Sequence, residues 1–182
     1  MAEAFSNKLT RAAGIVTTSS SGSIGVTTTI ITGISTVGVA VSDLVDNANF
    51  IAGTKVTGYG AAASQVVVDQ TSTNTATVTS SAIVNFLGMT TAYTSAAATK
   101  SILIGGTFAN NTSSSVNLTV EIHDASAGIQ AAIASKIPVP TGSSFVISDA
   151  GKSVLEAGDE VRVFCDTANA IDVNLSILTG VS

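Results

Sequence analysis

The sequence predicts an all-β fold, made of two small antiparallel β-sandwich or barrel modules behind an extended N-terminal arm. Three observations predict it. Hydrophobic residues make up 45% of the chain, and the excess is Val, Ile, Ala and Thr. The β-branched types among these are stiff at χ1 and pack well on a pleated surface. Sixteen Gly against two Pro suit many tight turns between short strands. Segments with a period of two recur, clearest where Val116, Leu118, Val120 and Ile122 alternate with Asn117, Thr119, Glu121 and His123.

Residues 1–23 read as an arm. Ala2 to Leu9 has the makings of a short helical turn, and Thr17 to Ser23 is a polar run without apolar period. Residues 24–88 read as a first β-module, with strands expected at Val26–Thr32, Val37–Val41, Asp43–Val45, Thr54–Thr57, Gln65–Asp69 and Thr77–Phe86. Residues 89–100 read as a linker whose three alanines are too few for a stable helix. Residues 101–182 read as a C-terminal β-sandwich. Its expected strands include Ser101–Phe108, Val116–Ile122, Ser144–Ser148, Val161–Cys165 and Ala170–Leu178. Asn110–Ser114, Asp124–Gly128 and Asp149–Lys152 read as turns, and Ile129–Ile137 fits either a strand or a short helix. About seven strands in this span are what a Greek-key sandwich requires.

The surface chemistry is unusual. Only 10% of residues are charged, 4% are aromatic, and Ser and Thr together number 49. Hydroxyls therefore solvate the protein where Lys and Glu usually do. Such a weakly charged surface suits a subunit that packs against neighbours. The net charge is −5, and the seven Lys and Arg are scattered. A nucleic-acid partner is not expected, because no basic field is present to replace phosphate counterions. No run reaches the length of a membrane span, and Glu3 and Lys8 with no apolar run behind them do not make a signal peptide. The single cysteine, Cys165, excludes an intrachain disulfide and a multi-cysteine zinc site.

Motifs for catalysis are sparse. His123, the only histidine, has no Gly-x-Ser-x-Gly elbow to serve, and a surface or interface role is expected. Cys165 alternates with Val161 and Val163, so it should behave as a small buried hydrophobe rather than a reactive thiol. Gly151-Lys152-Ser153 is only the tail of a phosphate loop. Asp43, Asp46, Asp69, Asp149, Glu156, Asp159 and Glu160 fall in or near turns without calcium-loop spacing, so turn chemistry explains them better than a metal. No catalytic, cofactor-binding or metal-binding residue is therefore expected. Glu156 and Asp159 are the one carboxylate pair that glycoside hydrolysis could use. Tyr59, Phe50, Tyr93 and Phe86 are the aromatics a host-glycan site in the first module could use.

Several stretches carry a resemblance: Ala4–Arg11, Phe108–Val116, Ile137–Ser144, Val154–Asp159 and Ala170–Leu178. Together they hold 40 of the 182 residues. They resemble a family of small β-sandwich virion structural proteins of marine and cyanobacterial tailed bacteriophages. Ile31–Gly38 and Phe50–Thr57 are similar to small β-modules of phage fibre and surface proteins, as an insertion between the family's arm and its sandwich. The resemblance implies a virion component made in the host cytoplasm. Its partners would be other virion proteins, in the capsid or in the neck and tail. A homo-oligomeric subunit that decorates or cements the capsid is the expected role, with a neck, tail or fibre-associated accessory next.

Overall fold

The computed structural model describes residues 3–148 and 152–181. The fold is all-β, and no helix occurs among the described residues. The chain divides into two units, one formed by residues 1–14 with 90–182 and the other by residues 15–89.

The first unit is a sandwich. One sheet holds β1 (Ala4–Ala13), β15 (Ile171–Val181), β9 (Lys100–Asn110) and β12 (Ser144–Ile147) in that order, and β13 (Ser153–Leu155) pairs with β9 beyond β12. The other holds β11 (Ile129–Val139), β10 (Val116–Asp124), β14 (Glu160–Cys165) and β8 (Thr90–Thr94). Counting the sandwich strands along the chain, with β12 and β13 as one, the first sheet runs 1-8-3-6 and the second 5-4-7-2. That order is two nested Greek keys, a jelly roll. The inner faces of both sheets close on one core, in which Leu103, Phe108, Leu118, Val163, Leu175 and Ile177 are fully buried. Leu118, Val163, Leu175 and Ile177 have the parity that the period-two pattern predicts, whereas β9 changes face at a bulge, so that Leu103 and Phe108, five residues apart, both point inward.

Polar groups tie the two sheets together. Tyr93 Oη on β8 lies 2.8 Å from Ser101 Oγ on β9, and Ser95 Oγ lies 3.0 Å from the same hydroxyl. Asn110 at the end of β9 donates to the carbonyls of Ser114 and Val139, and its Oδ1 accepts from the backbone and hydroxyl of Thr112. Every hydrogen-bonding position of that buried amide is filled, which is what burial of a polar group demands.

The second unit is one six-stranded sheet. It comprises β2 (Ile15–Ile24), β3 (Ile30–Thr32), β4 (Leu44–Asp46), β5 (Val56–Tyr59), β6 (Gln65–Val68) and β7 (Val78–Gly88), in the order β4-β7-β2-β3-β6-β5. It curls around its own core of Ile24, Ile31, Val45, Val56, Val66, Val84 and Phe86. Beside the edges, Leu44 bridges Lys55, the Val56 amide donates to the Asp43 carbonyl and the Val45 amide to the Thr54 carbonyl. These few bonds lace β4 to the start of β5 without making a closed barrel.

Several expectations change. From Ala4 onward the expected arm over 1–23 is two strands, β1 and most of β2, joined at Gly14. Residues 4–13 pair with β15 from Phe5 opposite Leu178 to Thr10 opposite Val173, and β2 lies between β7 and β3. The helical turn at Ala2–Leu9 is absent from residue 4 onward, because pairing to β15 overrides a weak local preference. The polar run Thr17–Ser23 folds because its hydroxyls find partners. Thr18 donates to Asn85 Oδ1 and Ser21 to the Gly33 carbonyl, while Ser23 Oγ accepts from the Ser80 amide.

The linker over 89–100 contains β8 and the first residue of β9. The ambiguous segment Ile129–Ile137 is strand, paired along β10. Val37–Val41 is turns rather than strand, since Gly38 takes φ +81° and the Asp43 carboxylate caps the Ala40 amide at 2.7 Å. The module boundaries move accordingly, from 24–88 and 101–182 to the two units above. The second unit is thus an insertion between the first two strands of the jelly roll, not between an arm and a sandwich. The turn at Asp149–Lys152 lies outside the described residues except for Lys152.

Candidate functional site

The sandwich sheet that contains β1 has a second face, turned away from the core, and it carries several exposed apolar side chains. Its composition follows from register. Phe5 stands opposite Leu178, Leu178 opposite Ile102, and Ile102 opposite Val154. Directly opposite residues share a face, so four apolar side chains form one row across β1, β15, β9 and β13. Phe5 is 77% exposed and Val154 59%.

The next row is small and polar, Asn7, Ser176 and Gly105. A further row runs Leu9, Asn174, Thr107 and Val146, with Leu9 72% exposed and Val146 56%. A shallow depression of about 340 Å³ opens here between Leu9, Arg11, Thr107 and Asn174. Charged side chains flank the face at two ends. Arg11 and Asp172 border the depression, and Lys100 meets Glu156 at 3.0 Å at the other end.

Sequence reading missed this face. Phe5 and Leu9 were hidden in a supposed arm. Val146 and Val154 carried a signal, because Phe145-Val146-Ile147 and Val154-Leu155 are apolar on consecutive residues. Such runs mark strands with something apolar on both sides.

The residues singled out from sequence are dispersed. His123 is the next-to-last residue of β10, opposite Gln130 and Glu160. It is half-buried, and its Nδ1 is buried without a hydrogen bond. The wet face expected for its strand is covered at Thr119 and Glu121. Thr119 Oγ1 accepts the Lys136 amide where β11 bulges, and Glu121 faces Arg162 across the ladder. Cys165 is buried with Val161 and Val163, and desolvation, with a smaller push from Asp166, raises its thiol to about 12.

Glu156 pairs with Lys100. Asp159 is buried and accepts the Ala125 and Glu156 amides through its two oxygens, so it braces two turns. Asp124 accepts the Ala127 and Ser126 amides and the Ser126 hydroxyl; the Ala127 bond is the chief cause of a carboxyl held below its ordinary range. Among the described residues no group of three or more His, Cys, Asp or Glu is placed to hold a metal ion.

The aromatics do not form a platform. Phe50, Phe86 and Tyr93 are buried, and Tyr93 belongs to the sandwich unit. Tyr59 is exposed on its ring and donates its hydroxyl to the Val39 carbonyl at 2.6 Å. No family model, curated protein or solved structure matches this chain.

Proposed function

We propose that this protein is a non-enzymatic structural subunit of a tailed-bacteriophage particle, held there by protein–protein contacts. The observation that carries the proposal is the exposed apolar face on the β1-β15-β9-β12/β13 sheet. Extended apolar patches on soluble proteins mark contact surfaces, and this one sits on a chain with only 10% charged residues. The jelly-roll connectivity is in keeping with it, since capsid proteins use that fold. Lectins and cupins use it too, so the fold by itself is analogy.

Within that role the protein decorates or cements the capsid through the major capsid protein; a neck or tail accessory position is the alternative. Synthesis in the host cytoplasm and residence in the virion follow from either. Mass spectrometry of gradient-purified particles, with heads separated from tails, tests the reading. Recovery in the head fraction is expected. Recovery with tails moves the site to the neck or tail, and absence from both fractions removes the particle role.

A further inference from the structure

We infer that the apolar outer face of the β1-β15-β9-β12/β13 sheet is a self-association surface, and that its occupant is the same face of a second copy of this chain. The inference deepens the structural-subunit reading by naming what covers this face, another subunit of the same kind, which leaves the rest of the weakly charged surface to meet the particle; it rests on that reading for its biological setting.

Area is the first argument. Three strands ~4.8 Å apart, overlapping for about ten residues at ~3.3 Å rise, with the short β12 and β13 along the outer side of β9, present roughly 600 Å². Two such faces in contact bury about 1,200 Å² in total, the lower edge of what a specific stable interface needs. Sheets pack face to face through apolar side chains, as this sheet already does on its inner side, and the outer face offers Phe5, Leu9, Val146 and Val154 for the purpose.

Charge is the second. Each end of the sheet carries one cation and one anion, Arg11 with Asp172 and Lys100 with Glu156. Each of these pairs balances, so neither end selects a partner of one sign or repels its own copy. The centre is Asn7, Ser176, Gly105 and Thr107, small or polar side chains that leave the flanking Phe5, Leu9, Val146 and Val154 proud.

The edge is the third. β1 is the outer strand of its sheet, and an open edge would invite strand addition. Lys8 lies on its core-facing side, opposite Leu175, and the ladder breaks at a bulge between Thr10 and Ala13. An inward charge and a bulge both discourage edge pairing. The face therefore remains as the contact, and a face that meets its own copy is isologous and closes as a dimer.

Sedimentation velocity of the full chain from micromolar to submillimolar concentration tests this. A dimer is expected, and Val154→Asp should weaken it by about tenfold or more. Leu9→Ser, on the exposed side of an edge strand, should weaken it less and serves if the aspartate variant loses its far-UV β signal. Val37→Asp, in a turn of the other unit, should leave the dimer intact. A monomer throughout, or a dimer indifferent to both face substitutions, overturns the inference. A monomer recovered on purified heads would remove the dimer and keep the particle role. A dimer missing from all particles would do the reverse.

Discussion

The Cys165 thiol donates to the Ala13 carbonyl at 3.3 Å, joining β14 of one sandwich sheet to the end of β1 in the other. Sequence distance hides the pair, which lies 152 residues apart. The thiol is buried, and desolvation pushes its pKa up to about 12, so the reactive thiolate is far scarcer at pH 8 than in a free cysteine. Reaction with a disulfide reagent should therefore be slow in buffer and complete at once in denaturant. Fast native labelling would mean that β1 leaves the sandwich readily.

Gly14 follows that contact and is fixed by it. It takes φ +126°, and a Cβ there would lie 2.4 Å from the Thr167 carbonyl oxygen and 2.7 Å from Cys165 Sγ. Gly14→Ala combines left-handed strain with a backbone clash. A loss of roughly 2–4 kcal/mol in sandwich stability is expected from urea unfolding. A loss below about 0.5 kcal/mol, the size of an ordinary surface change, would show that the junction can shift.

Asn110 should be among the most sensitive polar residues. Its donors reach Ser114 and Val139 and its oxygen takes both groups of Thr112. Asn110→Ala leaves buried partners unpaired, at a cost of roughly 2–4 kcal/mol. Asn110→Asp keeps the acceptor and loses both donors, so it should not rescue. Rescue by aspartate would place the weight on the Thr112 turn alone.

The insertion is removable if the jelly roll is complete without it. The chain leaves the sandwich after Gly14 and returns at Thr90, and the Gly14 amide donates to Thr90 Oγ1 at 3.3 Å. The two ends need only a short flexible loop, whose closure entropy is small. Replacing residues 15–89 with a few Gly and Ser should yield a folded β protein with a cooperative thermal transition. An unfolded product would show that the second unit is needed for the first to fold.

The sandwich strands were legible because their cores obey period two. Val116, Leu118 and Val120, and likewise Ile171, Val173, Leu175 and Ile177, are buried as the alternation requires. What stayed illegible was polar or non-local. Thr17–Ser23 is a strand only because hydroxyls pair across to Asn85, Gly33 and Ser80. Residues 4–13 are a strand only because β15 lies beside them. Phe5 and Val154 occupy one row, yet nothing short of the register through Leu178 and Ile102 brings them together.

Asp43 gives the second unit a pH signature. It is buried beside β4, and desolvation pushes its carboxyl above the ordinary 3.8 while the Ala40 N–H hydrogen bond pulls the other way. The folded unit thus holds a proton on Asp43 more tightly than the unfolded chain does. Its contribution to stability is fully present below pH 3.8 and is lost as pH rises through the raised folded value. At neutral pH the buried charge is a burden that Asp43→Asn removes, while an amide oxygen can still accept from Ala40. Urea titrations read by NMR at the Val45 and Val84 amides should show the variant more stable than the parent at neutral pH. The gap should shrink as pH falls towards the ordinary carboxylate range. A gap that stays constant or widens on acidification would show that the Asp43 charge is fully compensated in the fold.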